Sequence, residues 1–168
     1  MKTKTIAILI ILATATLSLT AQTVSEKTVK GTTYIITQNK NSIRKKVKNK
    51  NGLFDKYYKE INFSCPAYIT KPNSTEFYKE MLQKIFTKER IKELASTPNT
   101  NILIQTICSR SGDVVAIDFE YVNTDVITWD EIKALEDAYL QIKYVLDASK
   151  CPDVKYYLLM NPINFSKF

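Results

Sequence analysis

The stretch NILIQTICSRSGDVVAIDFEYV, residues 101–122, predicts the element around which the rest of the chain is arranged. Two runs rich in β-branched and aromatic residues flank a Ser-Gly-Asp turn centred on Gly112, a pattern typical of a β-hairpin. In the second run, polar Asp118 and Glu120 alternate with the apolar residues Val115, Ile117, Phe119 and Tyr121. We therefore expect strands at 101–108 and 114–122, with one apolar face and one solvated face.

The segment after the hairpin predicts a helix that covers this apolar face. Thr128 and Glu131 have the spacing of a capping box, in which a hydroxyl and a carboxylate satisfy free backbone N–H groups. A continuous apolar stripe then follows at three- and four-residue steps: Trp129, Ile132, Leu135, Tyr139, Ile142 and Leu146. Such a stripe is typical of a core-facing helix, and packing it on the hairpin would supply most of the core.

The remaining segments give weaker patterns. Residues 29–37 read as a strand and 154–160 as another, whereas 53–63 favour an irregular or strand-like element. Residues 76–96 form an amphipathic helical pattern that is interrupted near Thr87. Together these elements predict an α+β fold: a small antiparallel sheet covered by two helices, in the order helix-strand-strand-helix-strand. We expect a single domain at 22–168, with an N-terminal strand extension (22–72) and a core (73–168).

This order of elements, carried by the hairpin at 101–122, TWDEIKALEDAYLQIKYVLD and KYYLLMNPINF, resembles the C-terminal domain of TonB-type energy transducers over residues 74–165. Gly112 and Val114 match that family's turn. The resemblance implies a small sheet covered by helices. A retained anchor and a proline-rich spacer are missing, so energy coupling is not implied. The whole chain is also similar to small uncharacterised secreted bacterial proteins, which implies a compartment and no activity.

The N-terminus predicts export. Lys2 and Lys4 precede an uncharged apolar run from Ile6 to Leu19, and Ala21 offers a cleavage point before Gln22. This is the pattern of a signal peptide at 1–21, and the apolar run is shorter than the ~20 residues that a spanning helix needs. An uncleaved anchor is the alternative. We expect a periplasmic or secreted protein with no stable membrane span after cleavage.

Composition excludes several kinds of chemistry. The chain has 168 residues, no histidine and three glycines. The missing imidazole removes Ser/Cys-His catalysis and histidine metal sites, and three scattered glycines do not make a phosphate-binding loop. We therefore expect no cofactor, no metal and no catalytic residue of these classes.

Three cysteines suggest one disulfide and one free thiol in an oxidising compartment. Cys108 shares a strand face with Ile102 and Ile104, so we expect it to be a buried thiol. Sequence does not fix the pairing, but Cys65 and Cys151 would then form the bridge.

The net charge of +7 is concentrated in KNSIRKKVKNK, residues 40–50. Its bases are Lys40, Arg44, Lys45, Lys46, Lys48 and Lys50, and it contains no acid. One hypothesis is a contact for an anionic envelope surface. The alternative is a solvated loop that leads into the Asn51-Gly52 turn. Nucleic acid is not expected as a partner, because the segment lacks interleaved aromatic residues.

Two further classes of function stay open. Asp118 and Glu120 lie two residues apart on one strand face, as paired carboxylates of a glycan-acting hydrolase would. The hypothesis that we prefer is a non-enzymatic interaction protein. It would capture a protein or peptide, or a second copy of itself, through a sheet edge or a tyrosine-rich surface. The tyrosines considered for that surface are Tyr57, Tyr58, Tyr68, Tyr78, Tyr144, Tyr156 and Tyr157.

Overall fold

A computed structural model describes residues 22–65, 68–147, 149, 151 and 153–168. The expected signal peptide lies outside these residues. The strands are β1 (Gln22–Val29), β2 (Thr32–Asn39), β3 (Lys45–Asn49), β4 (Tyr68–Lys71), β5 (Ile102–Ser109), β6 (Val114–Val122), β7 (Val145–Asp147) and β8 (Tyr156–Ile163). The α-helices are α1 (Leu53–Tyr58), α2 (Thr75–Ile85), α3 (Lys88–Ser96) and α4 (Trp129–Leu140), and a 3₁₀ turn (Phe165–Lys167) follows β8.

The main sheet is antiparallel and has the strand order β1-β2-β3-β6-β5-β8. The short strands β4 and β7 pair separately. This arrangement confirms the expected α+β class. The three N-terminal strands extend the same sheet as the hairpin, because β3 pairs directly with β6.

The predicted hairpin supplies two interior strands of the sheet, and its turn carries a close backbone contact. Gly112 has φ of 91° and its carbonyl accepts a hydrogen bond from the Tyr144 N–H at 2.9 Å. A Cβ at Gly112 would lie 1.8 Å from the Tyr144 carbonyl oxygen. Glycine is therefore required both by the positive φ and by the chain that crosses the turn.

Side chains of β6 divide between the faces less simply than alternation predicts. Ile117 and Phe119 are buried with the main core, as expected, but Val115 packs with the α1 side and Tyr121 is 45% exposed. The pairing of β5 with β6 shifts register twice, and each shift changes which side chains share a face. Asp118, expected on a solvated face, is fully buried instead.

Helices α2, α3 and α4 cover one face of the sheet. The interruption expected near Thr87 is confirmed, since Thr87 caps α3 by accepting a hydrogen bond from the Arg90 N–H. The capping box of α4 is also present, with Thr128 and Glu131 as its two members. However, α4 ends at Leu140. Ile142 and Tyr144 lie in the extended chain that follows and crosses the hairpin turn, and both are buried.

Two segments differ from expectation. Residues 53–58 form the helix α1, which buries Phe54 against Ile107 and Ala116 on the opposite face of the sheet. A six-residue helix with one buried side chain shows too little periodicity to be identified from sequence. The basic stretch is not simply a solvated loop. Its second half is β3, an interior strand with Val47 fully buried between β2 and β6.

Candidate functional site

A cavity of about 330 Å³ lies beside the edge strand β8, and we call it the β8 cavity. It is lined by Met160, Asn161, Pro162 and Ile163 of β8, by Thr75, Tyr78 and Leu82 of α2, and by Ile69, Asn73, Tyr139, Lys167 and Phe168. Aromatic and aliphatic walls with a few convergent polar groups are typical of ligand sites of this size.

A chain of polar side chains leads from the β8 cavity into the core. The Tyr78 hydroxyl interacts with the Tyr144 hydroxyl, and the Tyr144 hydroxyl donates to Asn161 Oδ1 at 3.4 Å. Asn161 Nδ2 in turn donates to Thr106 Oγ1 at 3.0 Å. Burial raises the pKa of Tyr144 well above its ordinary value, and the contact with Tyr78 raises it further. These hydroxyls therefore stay neutral at physiological pH.

Tyr139 lies near these polar side chains but does not share their hydrogen bonds. Its side chain lines the β8 cavity and is only 1% exposed. Within the part of the chain that the structure describes, its hydroxyl makes no hydrogen bond to another protein group. Burial raises its pKa, and the nearby Tyr78 hydroxyl adds to the shift. Among the described residues, the Asp118 oxygens are the fully buried side-chain atoms that lack a partner, so the Tyr139 hydroxyl keeps contact with solvent at the cavity that its side chain lines.

The strand beside this cavity has a free edge. Among the described strands, β8 is the last in the sheet order and pairs with β5 alone. The Arg110 N–H donates to the Lys155 carbonyl, which shows that odd-numbered residues here turn their backbone groups toward β5. Leu158 and Met160 therefore turn theirs outward, and Pro162 occupies an outward position where its missing N–H costs no sheet bond.

The other sheet edge has a different character. β1 is exposed along nearly its whole length. A cleft of about 290 Å³ beside it is lined mainly by polar and charged residues: Thr23, Ser25, Glu26, Lys27, Gln38, Lys45, Thr124 and Asp125, together with Ile36 and Trp129. Among the described residues, Trp129 is the one aromatic side chain in its lining, against three in the lining of the β8 cavity.

Most bases of the stretch 40–50 are ion-paired. Lys45 contacts Asp125 at 2.9 Å, Lys48 contacts Asp55 at 2.7 Å, and Lys50 contacts Glu26 at 2.8 Å. Lys46 bridges two carboxylates, those of Glu120 and Asp118. The other two bases, Lys40 and Arg44, are exposed, and the Arg44 guanidinium lies 6.0 Å from the centre of the Tyr121 ring.

The two carboxylates considered for catalysis lie in unequal environments. Asp118 is fully buried, and neither of its oxygens has a hydrogen-bond partner within the described residues. Lys46 Nζ lies 3.4 Å from Asp118 Oδ2. Burial raises the pKa of Asp118 to about 6, against the opposing charges of Lys46 and Lys48. A carboxylate enclosed in this way is not positioned to reach a glycosidic bond of a bound glycan.

A second buried carboxylate, Glu136, escaped the sequence reasoning. It accepts hydrogen bonds from the Tyr34 hydroxyl at 2.7 Å and from Asn49 Nδ2 at 2.9 Å. Lys133 Nζ lies 3.3 Å away. We call these four residues the Glu136 cluster. Its members come from β2, β3 and α4, so a signal for it would require knowing the strand pairing first.

The cysteines have the predicted arrangement. A disulfide joins Cys65 to Cys151, with 5.9 Å between their Cα atoms, and Cys108 is free and buried. Burial raises the pKa of the Cys108 thiol to about 12, against a hydrogen bond with Thr106. The thiol is therefore a poor nucleophile at physiological pH.

The tyrosines do not gather on one surface. Tyr78 lines the β8 cavity and contacts Tyr144, whereas Tyr57 and Tyr156 contact each other near α1 with ring centres 4.7 Å apart. Tyr68 is 59% exposed on β4. Residues 22–65, 68–147, 149, 151 and 153–168 contain no cluster of three or more His, Cys, Asp or Glu that could hold a metal. None of the helices in those ranges has the length and apolar character of a transmembrane span.

The fold is similar to that of a DUF5043 family protein from Bacteroides uniformis, solved by crystallography, with a TM-score of 0.59. The match covers 83% of each chain at 16% sequence identity, and that protein belongs to an uncharacterised family. No family model and no curated protein matches the sequence. The likeness therefore supports the fold alone, and the resemblance to TonB-type domains stays a prediction.

Proposed function

We propose that this protein is an exported, non-enzymatic binding protein that captures an extended peptide segment of a partner along β8. The observation that carries the proposal is the coincidence of a free strand edge with an aromatic-walled cavity at Met160 and Asn161. Peptide recognition by strand addition uses these two features together. Backbone hydrogen bonds supply affinity, and a pocket beside the edge selects a side chain.

The backbone groups of β8 suit this mode. Leu158 and Met160 turn N–H and C=O outward, so an added antiparallel strand would pair with them. Successive side chains of that strand would alternate between the two faces of the sheet. One of them would enter the β8 cavity beneath Tyr78, while its neighbours would lie near the half-exposed Met160.

Export is supported by the disulfide between Cys65 and Cys151, since such bonds persist mainly in oxidising compartments. The signal-like N-terminus supports the same compartment. The alternative that the basic stretch binds an anionic envelope surface has less support, because four of its six bases are paired with carboxylates of the same chain. No energy-transducing role is proposed from the TonB resemblance.

Selection from a displayed library of random twelve-residue peptides tests this proposal. The disulfide-bonded protein is immobilised, and we expect enriched peptides that share one cavity-filling side chain. Thr75→Trp would place an indole over the cavity from an exposed position at the start of α2. It should weaken binding of those peptides about tenfold or more, since a filled pocket removes the anchor.

Lys79→Trp is the matched control. Lys79 is exposed on the same helix and does not line the β8 cavity. Peptides should bind this variant as they bind the wild type. Failure to enrich any peptide, or equal binding to the two tryptophan variants, contradicts the proposal.

A further inference from the structure

The walls of the β8 cavity suit a ring. Tyr78, Tyr139 and Phe168 supply three aromatic side chains, and Leu82 and Pro162 supply aliphatic surface. Aromatic rings packed edge-to-face or offset gain stabilisation beyond the burial of their area. A volume of about 330 Å³ leaves room for an aromatic side chain together with its attachment to a backbone.

The polar groups of the cavity lining favour an occupant that can form hydrogen bonds. The hydroxyl of Tyr139 makes no hydrogen bond to the described protein groups, and its almost fully buried side chain lines the cavity. Asn161 Nδ2 carries two hydrogens, and Thr106 accepts one of them. A purely hydrocarbon occupant would displace water from the Tyr139 hydroxyl and leave it unpaired, which is costly.

The charges around the cavity exclude an ionised tip. Lys167 is the one charged residue in the described lining, and it is exposed at the rim. An ammonium placed against Tyr139 would have no carboxylate side chain in the lining to pair with, and a carboxylate there would be desolvated while the exposed Lys167 stays hydrated. The occupant should therefore be aromatic, uncharged and tipped with a hydroxyl.

We propose that the β8 cavity is a binding site for a phenolic group, as carried by a tyrosine side chain, whose hydroxyl pairs with the hydroxyl of Tyr139. Delivery of that group on a peptide rests on the proposed function, but the recognition of the phenol itself does not. Tyr139 then determines specificity, because it separates a phenol from the corresponding hydrocarbon ring.

Titration with p-cresol and with toluene tests this inference without any peptide. The two probes share a ring and a methyl group and differ by one hydroxyl. Binding is followed by NMR shifts of cavity residues in the wild type and in Tyr139→Phe. In the wild type we expect p-cresol to bind about five- to thirtyfold more tightly than toluene, the range of one satisfied buried hydrogen bond. In Tyr139→Phe the ratio should fall to near one.

Each outcome decides the matter. Equal binding of the two probes, a preference that survives Tyr139→Phe, or no binding of p-cresol overturns the inference. A monosaccharide that binds in a Tyr139-dependent way while p-cresol does not would assign the cavity to sugars instead. If p-cresol binds selectively and the library enriches no peptide, the phenol site is supported and the peptide function is contradicted. If the library enriches peptides and p-cresol does not bind selectively, the peptide function is supported and the phenol site is contradicted.

Discussion

Two buried tyrosines lie in opposite environments. The contrast distinguishes polar groups that stabilise the fold from polar groups that a ligand can use. The Tyr34 hydroxyl donates to the carboxylate of Glu136, which also holds Asn49 and Lys133. The Tyr139 side chain is equally buried, but its hydroxyl makes no hydrogen bond to the described residues and the side chain lines a cavity. Polar groups that satisfy one another stabilise the fold, whereas an unsatisfied group at a cavity wall is available to a ligand.

Among the changes that test this comparison, removal of the disulfide should have the largest effect on stability. Cys65 precedes β4 and Cys151 precedes β8, and both strands line the β8 cavity. The bond closes a loop with a sequence separation of 86, so replacing both cysteines by serine should lower the free energy of unfolding by about 2–4 kcal/mol. Urea denaturation measures this loss.

Hydrogen exchange shows where the loss is felt. Amides of β4 and the start of α2 should lose more protection than those around the Glu136 cluster. Uniform loss of protection would show that the two regions are not independent.

A pH series extends the comparison to carboxylates. Asp118 is buried without hydrogen bonds, and its pKa is raised from 3.8 to about 6. Between these values the folded state holds the proton that the unfolded state has lost, so the contribution of Asp118 to stability falls as the pH rises. Asp118→Asn should therefore gain about 1–3 kcal/mol relative to wild type between pH 4 and pH 7.

Asp113→Asn is a control of opposite sign for that series. Hydrogen bonds from Lys143 and Ser111 lower the pKa of Asp113, so the wild-type carboxylate stabilises the fold once it is ionised. Relative to wild type, this variant should lose stability as the pH rises. The argument fails for Asp118 if its variant shows no pH-dependent gain.

The smallest effect gives the sharpest test of the two tyrosines. Tyr34→Phe deletes a donor to Glu136 and should cost about 1–2 kcal/mol, because a buried carboxylate loses a hydrogen bond. Tyr139→Phe deletes an unpaired hydroxyl and should change stability by less than about 0.5 kcal/mol. Chemical denaturation of both variants at pH 7 makes the comparison. Equal losses would mean that Tyr139 has a partner after all.

Local patterns predicted several parts of the fold correctly. The Ser-Gly-Asp turn, the interruption at Thr87 and the capping box at Thr128 all depend on residues close in sequence, and all three are present. The sequence did not predict the burial of Asp118 or its contact with Lys46, and both have one cause. Their environment depends on β3 lying beside β6, a pairing between residues about 70 positions apart.

The sequence predicted the type of candidate site but not the residues that form it. A sheet edge and tyrosines were expected, but Tyr139 was interpreted as one more apolar position in the stripe of α4. That stripe does face the interior, and Tyr139 is buried. Periodicity reports which face of a helix is covered, and it carries no information on whether a hydroxyl in that face finds a partner.

By itself, the sequence determined the fold class, the hairpin and the caps, because each follows from short-range chemistry or from composition. Tertiary structure alone decided that the basic stretch is an interior strand, that Glu136 is satisfied and Asp118 is not, and that a cavity opens beside β8. These outcomes depend on hydrogen bonds and close packing between distant segments, which exist only once the chain has folded.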